Sequence, residues 1–236
     1  MSGDSGWQLM IWRIVHQMSA TVCHLATLRV LCFGLSITII STILMYTGID
    51  AEVNRWARLQ SATFSLIWSA PAMLAGMITP IIIPIWLGYR GYKNEAQTII
   101  VAVILTLFLV TLLKAFTGRI SPEALLPVDL LQRSQSLQFG FLQGGVIEGI
   151  FEGWPSGHAA TNTAIAVALW STTKSGWLRL SMMIWAIWVT LATVFGIRGD
   201  VHWLSDSVAG AAYGSIIGFT AANVHKLYNK SFQTIE

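Results

Sequence analysis

Trp154-Pro155-Ser156-Gly157-His158 sits where a polar loop turns into an apolar run, and its reading decides how the rest of the chain is arranged. Proline suits the first turn of a helix and serine caps it. The free N–H groups of that turn make an anion site, and Gly157 lets the backbone come close to an anion. The stretch ends in His158. A second histidine, His202, stands at another such boundary, with Asp206 four residues on. Residues at that spacing share one face of a helix. The carboxylate can then accept a hydrogen bond from one imidazole nitrogen, which fixes the tautomer and leaves the other nitrogen as a nucleophile. Each piece alone also fits a plain helix start.

Working outward, the chain of 236 residues is 54% hydrophobic and 11% charged, against roughly 25% charged in a soluble domain. Mean hydropathy is +0.63. So little charge leaves too little polar surface for water and favours an integral membrane protein. Net charge is +3 without a Lys/Arg cluster, so the composition gives no case for nucleic acid binding. The two cysteines, Cys23 and Cys32, fit no zinc spacing and cannot pair within one helix, so they read as packing thiols. The N-terminus lacks the short apolar core and small-residue cleavage site of a signal peptide.

Residues 1–24 form one segment and 25–228 a six-span membrane domain. In the first, Trp7, Met10, Ile11, Ile14, Val15, Met18 and Val22 recur at helical steps, with Gln8, Arg13, His16 and Gln17 opposite. That pattern predicts an amphipathic helix lying in the membrane interface. Spans are expected at about 27–48, 62–87, 97–116, 156–173, 178–197 and 203–224. Asp50 to Gln60 reads as a polar connector. Pro71, Pro80 and Pro84 should kink the second span, with Ile81 to Ile83 an irregular helix end. Gly118 to Gly153 is the longest polar segment, with short interfacial helices expected over 122–132. Gly210, Gly214 and Gly218 repeat every four residues on the sixth span, a face that admits close helix approach. Eleven tryptophans suit interfacial belts. The fold class is therefore all-α, an integral membrane six-helix bundle with an N-terminal amphipathic helix.

Six alternating spans put both termini on one side. That side collects Arg13, Arg29, Arg90, Lys93, Lys174, Arg179, Lys226 and Lys230, against Arg55, Arg58, Lys114, Arg119, Arg133 and Arg198 on the other. The majority side is assigned to the cytoplasm. Parity also places Lys114 to Arg119, Ser156 to His158, and Arg198 to Asp206 on one surface. There His158 can protonate a leaving alkoxide, and Lys114 and Arg119 can neutralise the oxygens of a transferring phosphoryl group.

Three pieces carry a resemblance: Lys114 with Arg119 to Pro122, Pro155-Ser156-Gly157-His158, and Arg198 with His202 and Asp206. Together they resemble the type 2 phosphatidic acid phosphatase (PAP2) superfamily over about 114–224. The resemblance implies a six-helix membrane phosphatase that needs no metal or other cofactor. It implies His202 as the nucleophile forming a phosphohistidine, Asp206 as its orienter and His158 as general acid. Lys114, Ser156, Gly157 and an arginine, Arg119 or Arg198, would bind the phosphate. Two arginine positions depart from the family: Ser121 precedes Pro122, and Gly196 stands six residues before His202.

The leading reading is hydrolysis of a lipid phosphate, mono- or pyrophosphate, at the extracytoplasmic face. The expected location is the plasma membrane, in a bacterium the inner membrane, with the site on the periplasmic or outer side. Two other readings use the same scaffold. One is a phosphotransferase passing the group between lipids; the other is a catalytically inactive six-span protein that binds or transports lipid.

Overall fold

Each long apolar run closes its own backbone hydrogen bonds as a helix, the one economical solution in lipid for a chain without a closed barrel. The computed structural model describes residues 4–122, 129–142, 153–196 and 201–233. Among them are α1 (Asp4–Leu25), α2 (Leu28–Tyr46), α3 (Ile49–Leu59), α4 (Ala62–Tyr89) and α5 (Lys93–Phe116). Then follow α6 (Leu130–Ser134), α7 (Gly157–Thr172), α8 (Gly176–Phe195) and α9 (Leu204–Gln233). The described strands are β1 (Thr117–Gly118) and β2 (Gln138–Phe139), paired antiparallel with Thr117 opposite Phe139. The described residues are all-α apart from this small ladder.

Among the described residues four helices, α2, α4, α5 and α8, are long and apolar enough to cross a bilayer, which marks an integral membrane protein. Six spans were expected. The other two expected spans, α7 and α9, do not meet that measure for different reasons. α7 has 16 residues and is enclosed by its neighbours. α9 has 30 residues, but its glycines and serines lower its apolarity.

α7 stands at the centre. Its Ala164, Ile165 and Leu169 pack with Leu87 of α4, Ile99 and Ala102 of α5, Ala186 of α8 and Ile217 of α9. The contact with α9 is the closest. A Cβ on Gly210, Gly214 or Gly218 would collide with the carbonyl oxygens of Ser156, Ala160 and Ala164 respectively. The four-residue step of the glycines on α9 thus meets the four-residue step of carbonyls on α7, so backbone lies on backbone.

One expectation for the second span changes: Ile81 to Ile83 do not form an irregular helix end. α4 runs unbroken through Pro71, Pro80 and Pro84, and Ile81 to Ile83 stay helical. Pro80 has no N–H to offer the carbonyl of Gly76 four residues back. Asn162 of α7 supplies the substitute: its Nδ2 donates to Gly76 O at 3.1 Å. Trp185 Nε1 of α8 in turn donates to Asn162 Oδ1 at 2.8 Å. A lost helix bond becomes a link among three helices.

Three other expectations change. The connector from Asp50 to Gln60 is largely helical, as α3. Cys23 and Cys32 are exposed rather than packed inside. α1 is a helix, but it turns Gln17 and Thr21 inward with Ile14 and Met18, and Gln17 Nε2 donates to Ala221 O at 3.3 Å. Ile11, Val15 and Val22 face outward. Gln17 finds partners inside, including Gln97 Nε2 at 2.9 Å, so its polarity does not force it to water. Of the glycines expected in the long loop, Gly144, Gly145 and Gly149 lie outside the described residues, as does most of the 122–132 stretch.

The backbone contact between α7 and α9 has a direct test. Gly214→Ala should cost about 1–3 kcal/mol through overpacking, read as a lower denaturation midpoint in detergent. Gly88→Ala, whose Cβ meets nothing within 4 Å, should leave the midpoint near wild type.

Candidate active site

The end of α5 delivers the first cation. Lys114 lies in its last turn and is buried. Thr117 Oγ1 then donates to Leu113 O at 2.8 Å and to Trp154 O at 3.0 Å, tying the end of α5 to the approach to α7. Gly153, at φ +85°, lies against the backbone of Arg119; a Cβ there would sit 3.3 Å from Arg119 O. The left-handed φ and the tight space both favour glycine.

Ser156 is the N-cap of α7, and its side chain accepts from Ala159 N at 3.4 Å. Its own N–H donates to the main-chain carbonyl of Asp206 at 3.0 Å. The start of α7 is thereby fixed to the start of α9. Trp154 is buried rather than in an interfacial belt. Its Nε1 donates to Ser41 Oγ of α2 at 2.8 Å, and Ser41 Oγ lies 3.2 Å from Ser205 O.

His202 lies between α8 and α9 and is 6% exposed. Its N–H donates to Thr193 O of α8 at 3.1 Å. Its Nδ1 is 3.5 Å from Asp206 Oδ2. The same oxygen accepts Trp203 N–H at 3.0 Å. Asp206 Oδ1 accepts from Arg119 Nη1. Nδ1 therefore faces the carboxylate, and Nε2 is the nitrogen left for chemistry. Burial pushes His202 below the ordinary imidazole value; Asp206 opposes this by hydrogen bond and charge, and Lys114 and Arg119 push it lower.

His158, in the first turn of α7, lies within electrostatic reach of both His202 and Lys114. Its Nε2 is buried and has no hydrogen-bond partner among the described residues. A buried imidazole nitrogen without a partner is costly unless something else meets it.

Arg119 has partners other than those expected of a phosphate ligand. Nη1 donates to Ser205 Oγ at 2.7 Å and to Asp206. Nη2 donates to Asp50 Oδ2 at 2.6 Å and to Ser134 O at 2.7 Å. Its guanidinium carbon lies 5.6 Å from the Trp203 ring centroid. Nε alone has no partner among the described residues.

The structure thus gathers Lys114, Arg119, Ser156, Gly157, His158, His202 and Asp206 at one end of the bundle. Arg198 lies outside the described residues. Asp50, Ser41, Trp203 and Ser205 join the cluster without having been singled out in the sequence, as does Trp154, which the sequence reading leaves without a role. Asp50 gave only a faint signal, an acid in the first turn of an amphipathic helix, where the helix dipole accounts for it equally well. Among the described residues no group of His, Cys, Asp or Glu is arranged to hold a metal ion.

The PAP2 superfamily model matches residues 96–230, more than half of the chain. The chain belongs to the PAP2 superfamily. Membership implies phosphatase chemistry on phosphate substrates. No curated protein and no solved structure gave a match. The matched PAP2 segment begins in α5 and so leaves out α1 to α4, including Asp50. One departure from the PAP2 pattern has a backbone cause. Gly196 holds the position where the family has arginine, and it ends α8 at φ +46° and ψ −147°, a conformation L side chains rarely adopt.

Arg119→Met would leave the Asp50 and Asp206 carboxylates buried without their shared cation. It should destabilise the fold by about 3–5 kcal/mol, seen as an earlier transition in denaturant titration of the detergent-solubilised protein.

Proposed function

We propose that this PAP2 protein hydrolyses the phosphate ester of a membrane lipid through a phosphohistidine on His202, at the extracytoplasmic face. The observation that carries the reading is the pairing of His202 Nδ1 with Asp206 in a buried cluster that also holds His158 and Lys114.

His202 Nε2 attacks phosphorus in line with the ester oxygen. A P–N bond forms as the P–O bond breaks. His158 gives its proton to the leaving alkoxide. Water, deprotonated by His158, then attacks phosphorus and releases phosphate and free His202. Asp206 holds the imidazole and stabilises the positive charge it gains. Lys114, the Ser156 hydroxyl, the Gly157 N–H and Arg119 Nε face the phosphoryl oxygens, whose charge is the main thing catalysis must neutralise. Each step is carried by protein groups.

A lipid substrate follows from where such a site sits. In this reading α7 and α9 also cross the bilayer, giving six spans; α7 needs no apolar surface because protein surrounds it. The outward faces of α2, α4 and α8 carry large apolar side chains such as Ile39, Ile67 and Ile184. The cluster then lies at the membrane surface, in reach of a head group whose tails stay in hydrocarbon. The charge count across the spans, eight against six, favours that surface as the one outside the cytoplasm.

Phosphate release from dioctanoyl phosphatidate should be readily measured with purified protein. His202→Ala and His158→Ala should each lower the rate by about 10³-fold or more, and Asp206→Asn by about 10²-fold. Equal rates for wild type and His202→Ala would remove the enzyme reading. EDTA should leave the rate unchanged. His202 attacks only when neutral, so protonation on the acid side lowers activity. Because burial holds its pKa down, the acid limb of kcat/KM should lie below the ordinary imidazole value.

A further inference from the structure

We infer that Asp50, on a helix outside the matched PAP2 segment, is a positioning residue: it holds Arg119 so that Asp206 stays aligned on His202. The inference rests on the phosphatase reading above.

The contacts make the argument. Asp50 is 1% exposed. Its Oδ1 accepts Ser205 N–H at 2.9 Å, and its Oδ2 accepts both Ser205 Oγ–H and Arg119 Nη2. One guanidinium therefore stands between two buried carboxylates. Left with Asp206 alone, a guanidinium tends to grip both carboxylate oxygens in a fork. That would draw Asp206 Oδ2 away from His202 Nδ1. By engaging Nη2, together with the Ser134 carbonyl, Asp50 restricts Arg119 to Oδ1 of Asp206. Oδ2 is then shared by His202 and the Trp203 N–H.

Asp50 also seats the other end of the unit. Ser205 follows the first residue of α9, and its N–H is one of the free donors of that helix start. Asp50 satisfies it from α3, so the start of α9 is capped by a carboxylate from a different helix. Stability alone does not call for this, since a second buried carboxylate has to overcome its own desolvation.

The groups facing His202 are Asp206 from α9, Lys114 from α5, Arg119 after α5 and His158 from α7. Asp50 reaches it through Arg119. Replacing Asp50 with a neutral residue removes negative charge and loosens Asp206 from the imidazole. Both effects favour neutral His202 and move its titration to lower pH.

The test is steady-state release of phosphate from dioctanoyl phosphatidate by the full chain in detergent, across pH. Asp50→Asn, Arg119→Gln and the double variant are compared with wild type. Asp50→Asn should lower kcat by about 10–100-fold, the scale for partners that orient a reacting group, with KM within about twofold. Its acid limb should move to lower pH. In the Arg119→Gln background the same change should lower kcat little further. Should Asp50→Asn fail to fold, Ser205→Ala carries the test. It removes a hydroxyl and no charge, and kcat should fall about 3–10-fold.

An active wild type with an unshifted acid limb in Asp50→Asn overturns the positioning role alone. So do fully additive losses in the double variant, or wild-type kcat in Ser205→Ala where that variant stands in. A wild type that releases no phosphate overturns both this role and the function it rests on.

Discussion

Direct backbone contact between α7 and α9 is the constraint on which the rest depends. Three glycines remove the side chains that would hold the helices apart, and three carbonyls of α7 occupy the space. At that separation the relative register of the two helices is fixed. The Ser156 N–H then reaches the Asp206 carbonyl, and the cap of one helix locks to the first turn of the other. His158 lies in the first turn of α7 and His202 just ahead of α9, so their relative position is inherited from packing in the bundle interior. A membrane offers little hydrophobic drive between helices, which makes close fit and polar links the means available.

Polar links are used throughout, and each replaces something the local backbone lacks. Asn162 serves the carbonyl freed by Pro80 and brings in Trp185 of α8. Ser41 and Trp154 connect α2 to the start of α9. Around Arg119 the same logic involves full charges. The guanidinium, two carboxylates and a serine satisfy one another in a dry interior, where a missing partner would be far more costly than at a surface. Such a network holds one geometry firmly. That is useful where an imidazole has to keep a single tautomer.

Part of this was readable from residues in order. Apolar runs gave most helix limits to within a few residues because lipid permits few alternatives. The Pro155 to His158 stretch announced a helix start bearing histidine, and the spacing of His202 and Asp206 announced their pairing, although His202 stands just before α9 rather than on it. The four-residue glycine repeat announced close approach. Other features were not readable. Nothing adjacent to Pro80 says that an asparagine 82 residues later will repair its helix. Nothing near Asp50 says that its partner is Arg119, or that Arg119 will face two carboxylates. Gln17 read as polar and therefore outward, yet it turns inward because Gln97 and Ala221 receive it. The tryptophans as a set suited interfacial belts, yet Trp154 and Trp203 are buried, with their N–H groups on Ser41 and Ile120.

The sequence by itself determined the helical class, the membrane solvent, the family pattern and the residue types available for phosphoryl chemistry. These follow from local composition and short spacing, where each residue acts on its near neighbours. Only the tertiary structure decided which of those residues meet, which cation is engaged by which carboxylate, and that α3 takes part in the site. Such pairings join positions scores of residues apart. They are set by how helices pack, and helix packing is a property of surfaces brought together rather than of any single stretch.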